Sequence, residues 1–383
     1  MLYLDNAATT PVRPEVLEAM MPFLTRWFGN PSSHHTVGEA AADALRNARA
    51  RVALVLGMRP SDVIFTSGGT EANNLAVKGI AIAAQSGRNA RHLISTAIEH
   101  ESILESADYL ARVHGFEVTL LPVDRFGRVA PADVAAAVRE DTAVVSLGYA
   151  NNETGTVQDI VAIAAAVGTT GRRVPVHIDA VQAAGWLPLN AAELGVDAVS
   201  LAGHKLGAPK GTGVLAVRAR VPLEPLLHGG GQERGRRSGT EDVAGAVGFA
   251  TALELAEAER AEASARVADL RDRFIARVLA QVPTARLTGD PAHRLPGTAS
   301  FTFTGTSGEA VLLELERRGV VSSSGSACAA GSDEPSHVLL AMGVPPDEAQ
   351  TAVRFTFPHR LEEPLDAVAD AVAASVVAVQ SGG

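Results

Sequence analysis

Short apolar runs alternate with longer stretches of helical spacing through the first two thirds of the chain. Residues near 12–28 and 37–57 are Ala/Leu-rich with helical spacing; Asp62–Thr66 then reads as a short strand, Gly68-Gly69 as a tight turn and Glu71–Ala84 as a helix. Arg91–Ser95, Glu117–Pro122, Ala143–Tyr149, Val174–Ile178, Asp197–Leu201 and Gly213–Val217 read as further strands, with helical segments between several of them. This alternation predicts an α/β fold with a largely parallel sheet covered on both faces. Ligands of such sheets sit at the carboxyl ends of the strands. After about residue 250 the pattern changes. Thr251–Val282 reads as one long helix, with Val267, Leu270, Phe274 and Val278 on one face. A strand (Thr298–Thr304), a helix (Ser307–Arg318), a Ser/Gly/Ala loop (Ser322–Ser332), a strand (Ala352–Phe357) and a final Ala-rich helix follow, which predicts a smaller α+β domain. The division falls at 12–255 for the large domain, with 1–11 and 256–383 forming the small one.

With 383 residues, 46% hydrophobic and 20% charged, the chain has the composition of an ordinary globular protein with a large core. The net charge is -10 with no long basic run, so no electrostatic argument favours direct nucleic-acid or membrane binding. No apolar stretch reaches membrane-spanning length, and the first residues lack the pattern of a signal peptide, so the expected location is cytoplasmic. The single cysteine, Cys328, rules out an internal disulfide and a multi-cysteine zinc site, and one thiol suits a reducing compartment.

Four segments carry candidate chemistry. Ser67-Gly68-Gly69-Thr70-Glu71 joins a strand to a helix; it is either a plain turn or a phosphate site made of backbone N–H groups and the helix dipole, with Glu71 turned away. Asp179 ends an apolar strand, where it either caps a turn or faces a pyridinium nitrogen. Lys205 follows a strand within Gly203-His204-Lys205, the setting for a partly desolvated, imine-forming lysine. Lys210 competes, but its Pro-Lys-Gly context reads as an exposed turn. Cys328 lies in a segment with no large apolar residue from Ser322 through Ser332, which has little to bury and is expected to be mobile, as suits a nucleophile that visits a site and carries cargo away.

Read in order, Asp5-Asn6-Ala7-Ala8-Thr9-Thr10, the Gly-Gly-Thr-Glu turn, Glu99-His100, Asn151-Asn152-Glu153-Thr154-Gly155, His177-Ile178-Asp179, Gly203-His204-Lys205, Arg237-Ser238-Gly239-Thr240 and Ser324-Gly325-Ser326-Ala327-Cys328 resemble the cysteine desulfurases of the iron–sulfur assembly and nitrogenase type, in the class V aminotransferase superfamily. The resemblance runs from about residue 2 to 360. It implies a fold type I transferase that uses pyridoxal 5′-phosphate to take sulfur from L-cysteine, giving L-alanine and a persulfide on Cys328. It implies that Lys205 carries the cofactor, Asp179 partners the pyridinium, Gln182 donates to the ring hydroxyl, and His100 stacks on the ring and shuttles protons. Gly69, Thr70 and His204 are implied at the phosphate and Gly203 among the cofactor-binding residues, with Thr240 supplied to the phosphate by the neighbouring subunit of a homodimer with composite sites. Asn152 is implied beside the cofactor, and with Arg354 it is implied as the clamp for the substrate carboxylate. Alternation in Val353-Arg354-Phe355-Thr356-Phe357 agrees, placing Arg354 opposite the aromatics.

The implied partner is a sulfur acceptor, an iron–sulfur scaffold or a carrier for tRNA or DNA thiolation. Cys328 is also a candidate ligand to a cluster shared with that scaffold, since one cysteine cannot hold a cluster alone. Two positions depart from the family pattern: Ala202 stands where Ser commonly binds phosphate, a contact worth roughly 1.5–3 kcal/mol, and Phe357-Pro358 stands where Leu-Gly is frequent. The rival readings are a selenocysteine lyase, a small-amino-acid transaminase and a non-catalytic assembly platform. A transaminase does not need Cys328, and a platform need not keep Lys205, Asp179 and His100.

Overall fold

The computed structural model describes residues 1–325 and 334–382. The chain opens with a two-residue strand, β1 (Leu2–Tyr3). Seven strands follow that form one sheet: β2 (Val63–Thr66), β3 (His92–Thr96), β4 (Glu117–Leu121), β5 (Thr142–Gly148), β6 (Val176–Asp179), β7 (Ala198–Ala202) and β8 (Gly213–Val217). Their order is β2-β8-β7-β6-β5-β3-β4. β4, β3, β5, β6 and β7 pair in parallel, while β8 runs antiparallel to both β7 and β2. The expected strands therefore form, each within a residue or two of its predicted ends.

Near-continuous burial of β3, β5 and β7 comes from packing on both faces, the pattern of a parallel sheet under two helical layers. Neighbouring residues point to opposite sides: Ile94 and Val145 join one core with Val16, Val52, Ile178 and Phe249, while Leu93 and Val144 join the other with Leu75, Ile80 and Leu110.

A separate core is built from β9 (Ala285–Leu287), β10 (Thr298–Phe303), β11 (Val320–Val321) and β12 (Val353–Thr356) with the helices around them. β10 is antiparallel to both β9 and β12, and β1 pairs with β11, so the first residues of the chain belong to this core. Phe274 is its hub, meeting Phe301, Phe355 and Phe357 edge-on at centroid distances of 6.0, 5.3 and 5.6 Å. The long helix runs Val243–Gln281 and joins the two regions: Phe249 and Leu253 bury in the sheet core, Val267 through Val278 in the second.

The helix starts eight residues before the predicted Thr251. Its first two turns, Val243 through Ala250, are buried on every side, so no amphipathic stripe announces them. Asp242 caps them by accepting from the Gly245 N–H at 2.8 Å.

Candidate active site

The parallel strands end on one side of the sheet, and four of the five deliver chemistry there. β3 leads to Glu99 and His100, β5 to Asn151 and Asn152, β6 ends on Asp179, and the turn after β7 carries Lys205. These strand ends open on a cavity of about 350 Å³ lined by His100, Asn152, Asp179, Gln182, Lys205 and Arg354 among others. Six residues expected at the site thus come together.

Asp179 caps the turn that follows its strand, one of the two roles weighed for it. Oδ1 accepts from the Val181 N–H at 2.9 Å, fixing the turn, and Oδ2 accepts from Asn73 Nδ2 at 2.6 Å. Asn73 donates again to Ser102 Oγ at 2.9 Å, and Ser102 Oγ lies 2.9 Å from His100 Nδ1. The Ser102 backbone N–H also donates to His100 Nδ1, at 3.0 Å. An Nδ1 that accepts from a backbone N–H leaves the proton of neutral His100 on Nε2. Asn73 and Ser102 therefore link Asp179 to His100. Neither stands out in the sequence, where Asn73 is only a polar residue one turn into the helix Gly69–Arg88.

Lys205 Nζ donates to the carbonyl of Ala7 and, at 2.7 Å, to that of Ala8. Gln182 Nε2 donates to the Ala7 carbonyl at 3.1 Å. Lys210 lines an adjoining pocket instead, together with Gly68, Gly69, Thr70 and His204. There the helix Gly69–Arg88 begins without a side-chain cap, so its dipole and first N–H groups face that pocket. The turn needs glycine: a Cβ on Gly69 would stand 2.8 Å from Val181 Cγ2, and one on Gly213 would stand 2.6 Å from Gly68 Cα. Glu71 is turned away as expected, with Oε1 accepting from Arg237 Nε at 2.9 Å and Oε2 from the Ser67 N–H at 2.8 Å. Burial and the charges of Lys205 and Lys210 push His204 down to about 4, so it is neutral at pH 7. The Ala202 methyl lies beside the Gly69 turn, 3.3 Å from a Cβ placed there.

Gly203 lines neither pocket; it is packed so that a Cβ would stand 2.2 Å from Thr212 Oγ1. Thr240 is exposed and lines a third cavity with Ser67, Gly211 and Arg237. Glu99 is fully buried, and desolvation, with the Asp179 charge adding, pushes it up to about 8 despite hydrogen bonds from Thr96 Oγ1 and the Gly148 N–H, both at 2.6 Å.

Arg354 is 2% exposed and sits on β12 opposite Val353 and Phe355. Its Nη1 donates to the carbonyls of Asn152 at 2.8 Å and Gly325 at 3.3 Å, and its Nη2 to Asp5 Oδ1 at 2.7 Å. Phe357 is buried in the second core and, with Pro358, lines a neighbouring cavity that also reaches Lys205. Cys328 and its cluster-ligand reading lie outside the described residues. Gly325 and Glu334, which flank that segment, both line the main cavity. Among the described residues no cluster of three or more His, Cys, Asp or Glu side chains suits a metal ion, and no helix is long and apolar enough to cross a membrane.

A lysine, a strand-end carboxylate and a histidine beside an uncapped glycine turn form the donor set for an aromatic aldehyde bearing a phosphate. Comparison with known proteins agrees. The profile of the family described as Aminotransferase class-V matches residues 2–363. Cysteine desulfurase IscS of Dictyoglomus turgidum is 45% identical, covering 93% of this chain and 89% of its own. The IscS-like cysteine desulfurase of Mycobacterium tuberculosis is 45% identical over 98% of this chain and 96% of its own. A solved structure of a NifS-like protein superposes with a TM-score of 0.89 at 36% identity, covering 99% of this chain and 98% of its own.

The chain belongs to the class-V aminotransferase family, and its cofactor is pyridoxal 5′-phosphate. Within that family it groups with the cysteine desulfurases.

Proposed function

We propose that the chain is a cysteine desulfurase that takes sulfur from L-cysteine, releases L-alanine and holds the sulfur as a persulfide on Cys328 for an acceptor. The observation that carries this reading is the convergence of Lys205, Asp179, His100 and Arg354 on one cavity whose rim includes both flanks of the cysteine segment. Cys328 is three residues from Gly325, a chain reach of at most about 11 Å.

When bound, pyridoxal phosphate supplies an electron sink for negative charge on the substrate's Cα. Lys205 holds it covalently, Gly69, Thr70 and His204 hold its phosphate, Asp179 keeps a proton on its ring nitrogen, and Gln182 donates to its hydroxyl. Lys210, beside the same phosphate pocket, offsets the hydroxyl that Ala202 lacks. Arg354 and Asn152 bind the amino acid's carboxylate and so fix which substrate bond faces the sink. Lys205 Nζ, freed when the substrate's amine replaces it, would take the Cα proton, and His100 Nε2–H would serve as a proton donor. The Cys328 thiolate then forms a bond to the substrate sulfur as the C–S bond breaks. The electron pair stays with the carbon fragment, which takes one proton at Cβ, regains one at Cα from Lys205 and leaves as L-alanine.

The two cores act as two domains, divided at 12–255 and at 1–11 with 256–383. The working form is a homodimer in the cytoplasm. Supporting the dimer, Leu17, Met21, Leu24 and Phe28 are 49, 52, 58 and 71% exposed along one helix and its end, an apolar patch that a second copy would cover. Thr240 from that copy would complete the phosphate site. The acceptor is an iron–sulfur scaffold or a carrier protein for RNA or DNA thiolation.

The test is alanine and sulfide production from L-cysteine with a reductant, in wild type, Cys328→Ser and Lys205→Ala. Sulfur release is expected from wild type only, with cofactor uptake kept in Cys328→Ser. Release at full rate by Cys328→Ser would replace the persulfide route with a direct lyase.

A further inference from the structure

The short segment Asp5–Ala8 touches both cations of the site. The carbonyls of Ala7 and Ala8 hold Lys205, and the carboxylate of Asp5 holds Arg354. The segment is fastened to β12: Asn6 Nδ2 donates to the Thr356 carbonyl at 2.7 Å, and the Ala7 N–H donates to Thr356 Oγ1 at 2.8 Å. Tyr3 closes it from outside, its hydroxyl donating to the carbonyls of Asp5 at 2.9 Å and Thr9 at 3.1 Å.

A guanidinium as buried as Arg354 is costly without an anion. Asp5 supplies that anion at 2.7 Å, yet Asp5 is not among the residues that line the main cavity, whereas Arg354 is. The guanidinium is therefore neutralised from one side and presented to ligand from another. Among the described residues, the buried Arg354 Nε meets no hydrogen-bond partner.

We infer that Asp5 sets the affinity of the Arg354 clamp: its carboxylate aims the guanidinium and weakens its pull on a second carboxylate, so that amino acids bind reversibly. The inference rests on reading Arg354 as the substrate clamp. Its chemical logic is product release. L-Cysteine and L-alanine carry the same α-carboxylate, so an uncompensated arginine would tighten both. Affinity added equally to every bound state does not raise turnover and slows departure of the product.

Asp5→Asn separates charge from geometry, because the amide oxygen can still accept from Nη2. The holoenzyme variant is expected to bind L-alanine about tenfold more tightly by calorimetry, the size of one nearby charge removed at intermediate dielectric. KM for L-cysteine should fall by a similar factor, while the melting temperature falls because Arg354 loses its counterion. L-Alaninamide, which lacks the carboxylate, should bind wild type and variant alike. Asp5→Ser also removes the charge and keeps an acceptor; it gives the same direction if Asp5→Asn fails to fold.

Arg354→Lys serves as the parallel arm. If it weakens alanine binding while Asp5→Asn leaves binding unchanged or weaker, Asp5 is a structural partner only and the inference is overturned. If Arg354→Lys leaves alanine binding unchanged, the clamp reading itself is wrong and the inference falls with it.

Discussion

The two sides of the cavity are assembled in different ways. On the cofactor side, Lys205, Asp179, His100 and Asn152 each stand within a few residues of a strand end in one parallel sheet, so the sheet's direction alone brings them together. On the carboxylate side, Arg354 meets Asp5, Asn152 and Gly325, and the Asp5 contact spans 349 positions of the chain. That side depends on the docking of β12 and the first residues against the second core. The difference teaches that the catalytic half of the site is set by topology, and the binding half by packing between regions.

Removing Lys205 should break the cofactor side outright. Lys205→Ala is expected to lower alanine formation by about a thousandfold or more, since both covalent attachment and proton transfer are lost. The fold and the Arg354 contacts should survive, which circular dichroism and thermal melting would check.

Phe274→Ala attacks the other side at its hub. Loss of a buried aromatic that meets three phenylalanines should cost about 3–5 kcal/mol in urea unfolding. Because β12 rests on that core, KM for L-cysteine should rise more than kcat falls. An equal effect on both constants would show that the two sides are not separable.

Asn73→Ala sharpens the cofactor side. It removes two donated hydrogen bonds, one to the Asp179 carboxylate, and should cost about 1.5–3 kcal/mol in kcat/KM with little change in KM. Steady-state kinetics would read the split, and unchanged kcat would confine Asn73 to a structural role.

A further test is a pH slope. Glu99 lies above its ordinary value of 4.5, at about 8, because it is buried. The folded state therefore favours the protonated form: its stability contribution is whole below about 4.5 and is lost as pH climbs through about 8. Glu99→Gln should lose less stability than wild type over that window, the difference growing by up to about 1.4 kcal/mol per pH unit. Urea unfolding at pH 5, 7 and 9 would measure it; parallel curves would show that Glu99 stays charged.

The same contrast explains what could be read from the sequence. Strand ends are local: an apolar run followed by Asp179, or by Gly203-His204-Lys205, carries its own signal, and those placements came out of the chain directly. The alternation of Val353-Arg354-Phe355 also gave the face of Arg354. What could not be read was who meets whom across long separations. Asp5 was visible only as one letter of a motif, because its partner sits on a strand near the other end of the chain. Asn73 was hidden inside a helix, since its bonds to Asp179 and Ser102 exist only after three elements pack. The start of the long helix at Val243 was missed for the related reason that full burial erases the periodicity from which a helix is read. β1 and β9 are too short to show a strand pattern at all.

The most direct test of the desulfurase reading is a single turnover with sulfur-labelled L-cysteine, followed by peptide mass spectrometry without reductant. The expected result is one labelled sulfur on the Cys328 peptide per alanine formed, and none in Lys205→Ala. Alanine formed with the label wholly in free sulfide, and none on Cys328, would contradict it.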